Sequence, residues 1–276
     1  RGGATALGRR RACDGVPVPG TYGGAGLWAV RNRKVAGARR KAPGPWFRAS
    51  LPPRDPQLIR DYIRHVGGDP SLHKRTVPAH LFPQWTFPLQ AQALEGLPYP
   101  MQKVLNGGCL LEQHTPLPQN ERLEVATRLD HIDDDGRRAV LRFLATTGTK
   151  SCPDALTAHL YAIVPLAKKS DDGQPRAKKV PVRVPDDARE VGWWKLHADA
   201  GLDFAKLTGD FNPVHWVPPY ARAFGFRSCI LHGFSTFART WEGLRTSLRR
   251  EPTKLDVRFT KPLLLPARVG LYLSPD

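Results

Sequence analysis

Apolar positions along the chain recur at two periods. From Gly233 to Leu248 they fall at Phe234, Phe237, Trp241, Leu244 and Leu248, steps of three and four that lay one apolar stripe along a helix about 24 Å long. A second helix is predicted where Leu58, Ile59, Tyr62, Ile63 and Val66 follow Asp55-Pro56, a capping acid with proline at the first helical position; Gly67-Gly68 ends it. A short helix is expected over Phe87 to Leu94. Elsewhere the period is two, predicting strands at Val104 to His114, Arg122 to His131, Arg137 to Thr146, Leu156 to Val164 and Glu190 to Leu196. Two more follow, through Leu255, Val257 and Phe259 and through Val269, Leu271 and Leu273, and a turn over Asp133 to Gly136 joins two of the earlier strands into a hairpin.

Helix followed by antiparallel strands thus occurs twice, an α+β arrangement in two copies. Pro116-Leu117 with Arg122-Leu123 matches Pro262-Leu263 with Arg268-Val269 at a constant offset of 146. By that offset Asp276 corresponds to Asp130, and the second copy lacks counterparts of the strands at 137–146 and 156–164, so the second half is expected to be truncated. Residues 168–184, rich in Lys, Asp, Gly and Pro, have the composition of a linker. The expected units are a basic, poorly ordered segment over 1–54, a first half over 55–167, the linker over 168–184, and a second half over 185–276.

Composition alters this picture at one end. The net charge is +17, a value that first suggests an anionic partner. Residues 1–54 hold twelve basic residues and one acid, so most of the excess lies in that segment and the rest of the chain carries only +6. Charge on a tail argues for localisation or docking, and no aromatic and basic platform points to specific nucleic-acid binding. No run approaches the ~18 to 20 apolar residues of a membrane-spanning helix. Four widely spaced cysteines, with no Cys-x-x-Cys, argue against a zinc knuckle or a disulfide framework. A cytoplasmic location is expected, with a mitochondrial one as the alternative from the Arg-rich, acid-poor start.

The chemistry concentrates in Leu207-Thr208-Gly209-Asp210-Phe211-Asn212-Pro213-Val214-His215 and in His232-Gly233 at the head of the long helix. Gly-Asp-x-Asn-Pro is a turn in its own right, because Asp and Asn bond their own backbone and proline stops a preceding helix. His215, five residues beyond Asp210, adds an imidazole able to meet the carboxylate at one water or substrate proton. Gly233 opens a helix N-terminus to a ligand oxygen, where free N–H groups and the helix dipole favour negative charge.

These residues resemble the MaoC-like (R)-specific enoyl-thioester hydratases and dehydratases, whose signature is similar to Thr208 through His215 followed by His232-Gly233. Cys229 departs from the proline common in the family three residues before the His-Gly. The resemblance implies a double hot-dog fold, each half a long helix wrapped by an antiparallel sheet, with the catalytic turn kept only in the second half. It implies that Asp210 and His215 hold a water and share general acid and base work, that Asn212 orients the water or braces the turn, and that the Gly233 N–H polarises the thioester carbonyl. Arg227, Lys261 and Trp241 are candidate substrate contacts. No metal and no separate cofactor are expected, coenzyme A or phosphopantetheine being part of the substrate; the partners would be acyl-CoA or acyl-carrier-protein thioesters, and a second copy in a homodimer. The alternatives are a hot-dog thioesterase using Glu242, the only acid on the long helix, and a catalytically silent acyl-thioester-binding scaffold.

Overall fold

The computed structural model describes residues 42–166 and 183–275. Most of the basic tail and of the expected linker therefore lies outside the described residues. Ten strands are described: β1 (Phe47–Leu51), β2 (Thr76–Val77), β3 (Leu105–Gln113), β4 (Leu117–Pro118), β5 (Leu123–Asp134), β6 (Arg138–Gly148), β7 (Leu156–Pro165), β8 (Arg189–Leu196), β9 (Lys254–Arg258) and β10 (Ala267–Leu273). The helices are α1 (Pro56–His65), α2 (Pro83–Leu94), α3 (Ala200–Thr208), α4 (Pro218–Ala223) and α5 (Gly233–Leu248).

Strands β1, β5, β6, β7, β3 and β9 form one antiparallel sheet in that order, and β8 pairs with β10. The second half thus repeats the first in part. β8 and β10 pair as β1 and β5 do, in a sheet of their own, and β9 stands against β3, adding one strand of the second half to the sheet of the first. Among the described residues no counterparts of β6 and β7 lie between β10 and β9, the same two strands that the internal offset leaves unmatched.

The apolar stripe of α5 explains how the halves share a core. Phe234, Phe237, Ala238 and Trp241 enter the cluster formed by α1, α2 and the inward side chains of β3, β5, β6 and β7. Phe82 meets the Phe234 ring edge to face at 5.6 Å, a favoured aromatic geometry. At the start of α1 the Asp55 carboxylate accepts from Gln57 N–H at 2.8 Å, as the capping sequence requires.

Two expectations need correction. Phe47–Leu51, placed in the poorly ordered segment 1–54, is a strand: its five residues alternate half-buried and exposed and pair with Leu123 to Thr127 of β5. So short an alternation gains its stability from the neighbouring strand, and basic and proline-rich flanks hide it in the sequence. The second helix begins at Pro83, not Phe87, and holds Pro88 in its interior. Most of its residues are buried and show no clear amphipathic period, so the pattern does not mark where the helix begins.

Candidate active site

The turn after α3 is built from local hydrogen bonds. α3 ends at Gly209 in the left-handed conformation (φ 81°), which lets its N–H reach Ala205 O at 2.8 Å and turns the chain sharply. Asp210 Oδ1 then accepts from Asn212 N–H at 3.4 Å, and Asn212 Oδ1 accepts from Val214 N–H at 3.3 Å. The second bond caps a single 3-10 turn, Pro213–His215, with proline at its first position. Asn212 is therefore a brace of the turn.

That brace presents His215 to the strap that enters α5. Its Nδ1–H donates to Ile230 O at 2.8 Å, which leaves Nε2 as the free lone pair. The strap is held by Leu231 N–H on Leu263 O and Leu265 N–H on Cys229 O, both 2.8 Å. Its last residue, His232, stacks on His215 with ring centroids 3.6 Å apart, and its Nε2–H donates to Asp210 O at 2.9 Å. The His232 Nε2 atom lies 3.8 Å from Asp210 Oδ2. Asp210, His215 and His232 thus bring donor atoms within 4.8 Å of one another, close enough to hold a water or a cation, although the Nε2 of His232 is already committed to a carbonyl.

Burial sets the electrostatics of this group. It raises the Asp210 carboxyl above the ordinary carboxylate range, against the opposing pull of His215. It lowers His215, with Asp210 pulling the other way. His232 is held well below the usual imidazole range by burial and by His215 beside it, so the stack is neutral at pH 7. A more basic carboxylate and a neutral imidazole with an open Nε2 form a pair able to accept and return a proton.

Gly233 occupies the first position of α5, where a helix offers its own N–H no carbonyl. A Cβ there would stand 2.6 Å from Cε2 of Phe259, so glycine is required by that ring as well as by any approaching ligand. The turn and the head of α5 therefore bring Asp210, Asn212, His215 and Gly233 into one neighbourhood. Arg227 and Lys261 are exposed side chains. Trp241 is 0% exposed, two turns down α5 in the core, with its indole N–H on Glu251 Oε1 at 3.2 Å.

Glu242, the acid considered for a thioesterase, is committed elsewhere. It is 1% exposed, and its Oε1 receives both His73 Nε2 at 3.0 Å and His80 Nε2 at 2.8 Å. Arg245 crowds His73 from the same helix and bonds Glu251 Oε2 at 2.9 Å. Burial alone would raise the Glu242 carboxyl, yet the two histidine hydrogen bonds outweigh it and keep the group ionised well below the usual range. No sequence spacing points to this cluster, because its members are 162 and 169 residues apart. The sequence likewise gives no sign that His232 would bond the backbone of Asp210.

Residues 174–274 match the family model of the MaoC like domain. The chain is 26% identical over 191 residues to 3-hydroxyacyl-thioester dehydratase X of Mycobacterium tuberculosis, a match covering 68% of this chain and 66% of that protein. It is 29% identical to enoyl-CoA hydratase ChsH3 of the same organism, covering 64% of this chain and 57% of that protein. The matches thus span a little under two thirds of the first of these curated relatives and just over half of the second. The crystal structure of HtdX of Mycobacterium tuberculosis superposes with a TM-score of 0.65 at 21% identity, covering 84% of this chain and 89% of that one. A second structure from that organism, described as a double hot-dog fold, gives 0.51 at 15% identity over 85% of this chain and 84% of that one. The architecture is that of a double hot dog.

Proposed function

Residues 174–274 are a MaoC-like dehydratase domain, and on that premise we propose that this chain catalyses the reversible hydration of trans-2-enoyl thioesters to (R)-3-hydroxyacyl thioesters. The observation that carries the reading is the convergence of Asp210 and His215 on one turn, with the His215 Nδ1–H fixed on Ile230 O.

In the forward direction a water lies between the Asp210 carboxylate and His215 Nε2. Its oxygen forms a bond to C3 of the enoyl group while one of its protons passes to this pair, and the pair delivers a proton to C2. The elements of water are added and nothing else is consumed. As the double bond shifts, negative charge grows on the thioester carbonyl oxygen, which the Gly233 N–H receives; a preorganised donor of this kind contributes roughly 3 to 4 kcal/mol. Asn212 keeps the turn in the conformation that aims Asp210. The second half carries this chemistry, the first half has no Gly-Asp-x-Asn-Pro turn, and the acyl group arrives on coenzyme A or an acyl-carrier protein.

The test is loss of enoyl absorbance with crotonyl-CoA, followed by chiral analysis of the product. Asp210→Asn and His215→Ala are each expected to lower turnover by about 10² to 10⁴-fold while circular dichroism stays unchanged. Full turnover in either variant, or an (S) product, would refute the assignment.

A further inference from the structure

Arg239 is a cation out of water with little to balance it. It is 7% exposed, its Nε meets no hydrogen-bond acceptor, and its Nη2 touches only His65 Nε2, at 3.4 Å. It forms no ion pair among the described residues. Burial lowers the guanidinium to about 10, so it is still charged at neutral pH. A buried charge normally has an opposite charge beside it, because desolvation is costly otherwise.

Arg239 also lines a cavity of about 90 Å³ between α5 and the β8–β10 pair. The rest of the lining is apolar apart from Thr236 and Thr240. Leu231, at one end, is the residue before His232, so the cavity adjoins the strap that carries the stacked histidines. Gly233, Thr236, Thr240 and Gly243 follow one stripe of α5 by steps of three and four. At Gly243 a Cβ would lie 2.8 Å from Leu271 and 3.2 Å from Trp194, so these two side chains rest directly on the helix and close the far end. The space is large enough for a small carboxylate with its neighbouring methylenes.

We propose that this cavity is the distal end of the acyl subsite and that Arg239 receives a carboxylate at the far end of a short enoyl group, making the substrates thioesters of unsaturated dicarboxylic acids. The proposal rests on the hydratase reading of the turn. Six residues separate Gly233 from Arg239, a rise of about 9 Å, and helical side chains lean back toward the N-terminus. The distance from a carbonyl at Gly233 to the guanidinium therefore suits an acyl group of roughly six carbons. The planar fork of arginine matches the two oxygens of a carboxylate, and apolar walls exclude the water that would weaken the pair.

Calorimetric binding of three saturated thioesters, adipyl-CoA, 6-hydroxyhexanoyl-CoA and hexanoyl-CoA, tests this on the full chain, beside crotonyl-CoA hydration. Adipyl-CoA is expected to bind at least ~10-fold more tightly than either of the others. Arg239→Met should bring the adipyl to hexanoyl ratio to about one, and Arg239→Lys should keep part of the preference. Equal binding of adipyl-CoA and hexanoyl-CoA by the parent, a hydroxyl ester as tight as the carboxylate, binding of none of the three, or a preference that survives in Arg239→Met overturns the proposal. The parent ratio decides alone if Arg239→Met does not fold. Crotonyl-CoA hydration without the preference removes only the carboxylate site, whereas the preference without hydration removes the hydratase reading and leaves the site standing.

Discussion

Replacing His65 by glutamine should remove a measurable share of this protein's sensitivity to acid. His65 lies in the last turn of α1, half-buried, with its ring 5.9 Å from that of Phe204 and its Nε2 accepting from Arg239. Burial first, and then the charge of Arg239, lower it to about 4. An unfolded histidine titrates near 6.5, so the two states differ by about 2.5 pK units, or about 3.5 kcal/mol at ~1.4 kcal/mol per unit. Partial exposure brings the expected figure to about 2 kcal/mol. The folded value lies below the unfolded one, so the unfolded chain takes up the proton first. Stability is complete above pH ~6.5 and falls as the pH drops, the loss being finished near pH 4. Burial also lowers His80, His215 and His232, and they contribute in the same direction. A comparison isolates His65, because glutamine still offers Arg239 an acceptor and carries no titrating ring. Urea unfolding at pH 7.5 and 4.5 should show the parent losing about 2 kcal/mol more than His65→Gln over that interval. Parallel losses in the two proteins would refute the argument.

Three further outcomes follow from the site and its supports. Gly233→Ala drives a methyl group to 2.6 Å from the Phe259 ring and should cost about 1–3 kcal/mol in urea unfolding, part of it recovered by Phe259→Leu; an unshifted midpoint would show that the ring moves freely. Glu242→Gln leaves His73 and His80 sharing a weaker acceptor in a dry site and should cost about 2–3 kcal/mol by thermal or chemical denaturation, with unchanged stability as the contrary result. In the pH profile of kcat/KM the acid limb should fall below ~6.5, since His215 works neutral and burial lowers it, and Asp210→Asn should move the limb lower still by removing the carboxylate that holds the imidazole up. A parent acid limb above pH 7 would contradict the first statement, and an unmoved or raised limb in Asp210→Asn the second.

What the sequence disclosed follows from how local each feature is. α5 was legible in full because its stripe is regular, and the turn at Asp210 because its bonds join residues two apart. The seven longer strands, β3 and β5 to β10, were legible from their alternation, down to the two left unmatched in the second half, whereas the two-residue β2 and β4 carry no pattern. The start of α2 was not legible, because Pro88 is a residue usually hostile to helix interiors and is accommodated here in a mostly buried helix. β1 escaped notice because five residues carry too little pattern apart from their partner strand. The pairing of His73 and His80 with Glu242, and the isolation of Arg239, depend on segments that meet only after folding. Arg239 in particular looks from the sequence like any charged residue of an amphipathic helix.

The join between β3 and β9 has a consequence for how the chain is made. β3 has β7 on one edge and β9 on the other. On a ribosome β7 follows soon after β3, whereas β9 begins about 140 residues later. At 5–20 residues per second, the second edge of β3 waits roughly 7 to 30 s for its partner. During that interval Phe234, Phe237 and Trp241 are also missing from the core they complete. The first half therefore spends its early life with a bare strand edge and an unfilled interior, a stage at which a neighbouring nascent chain can take the place of β9.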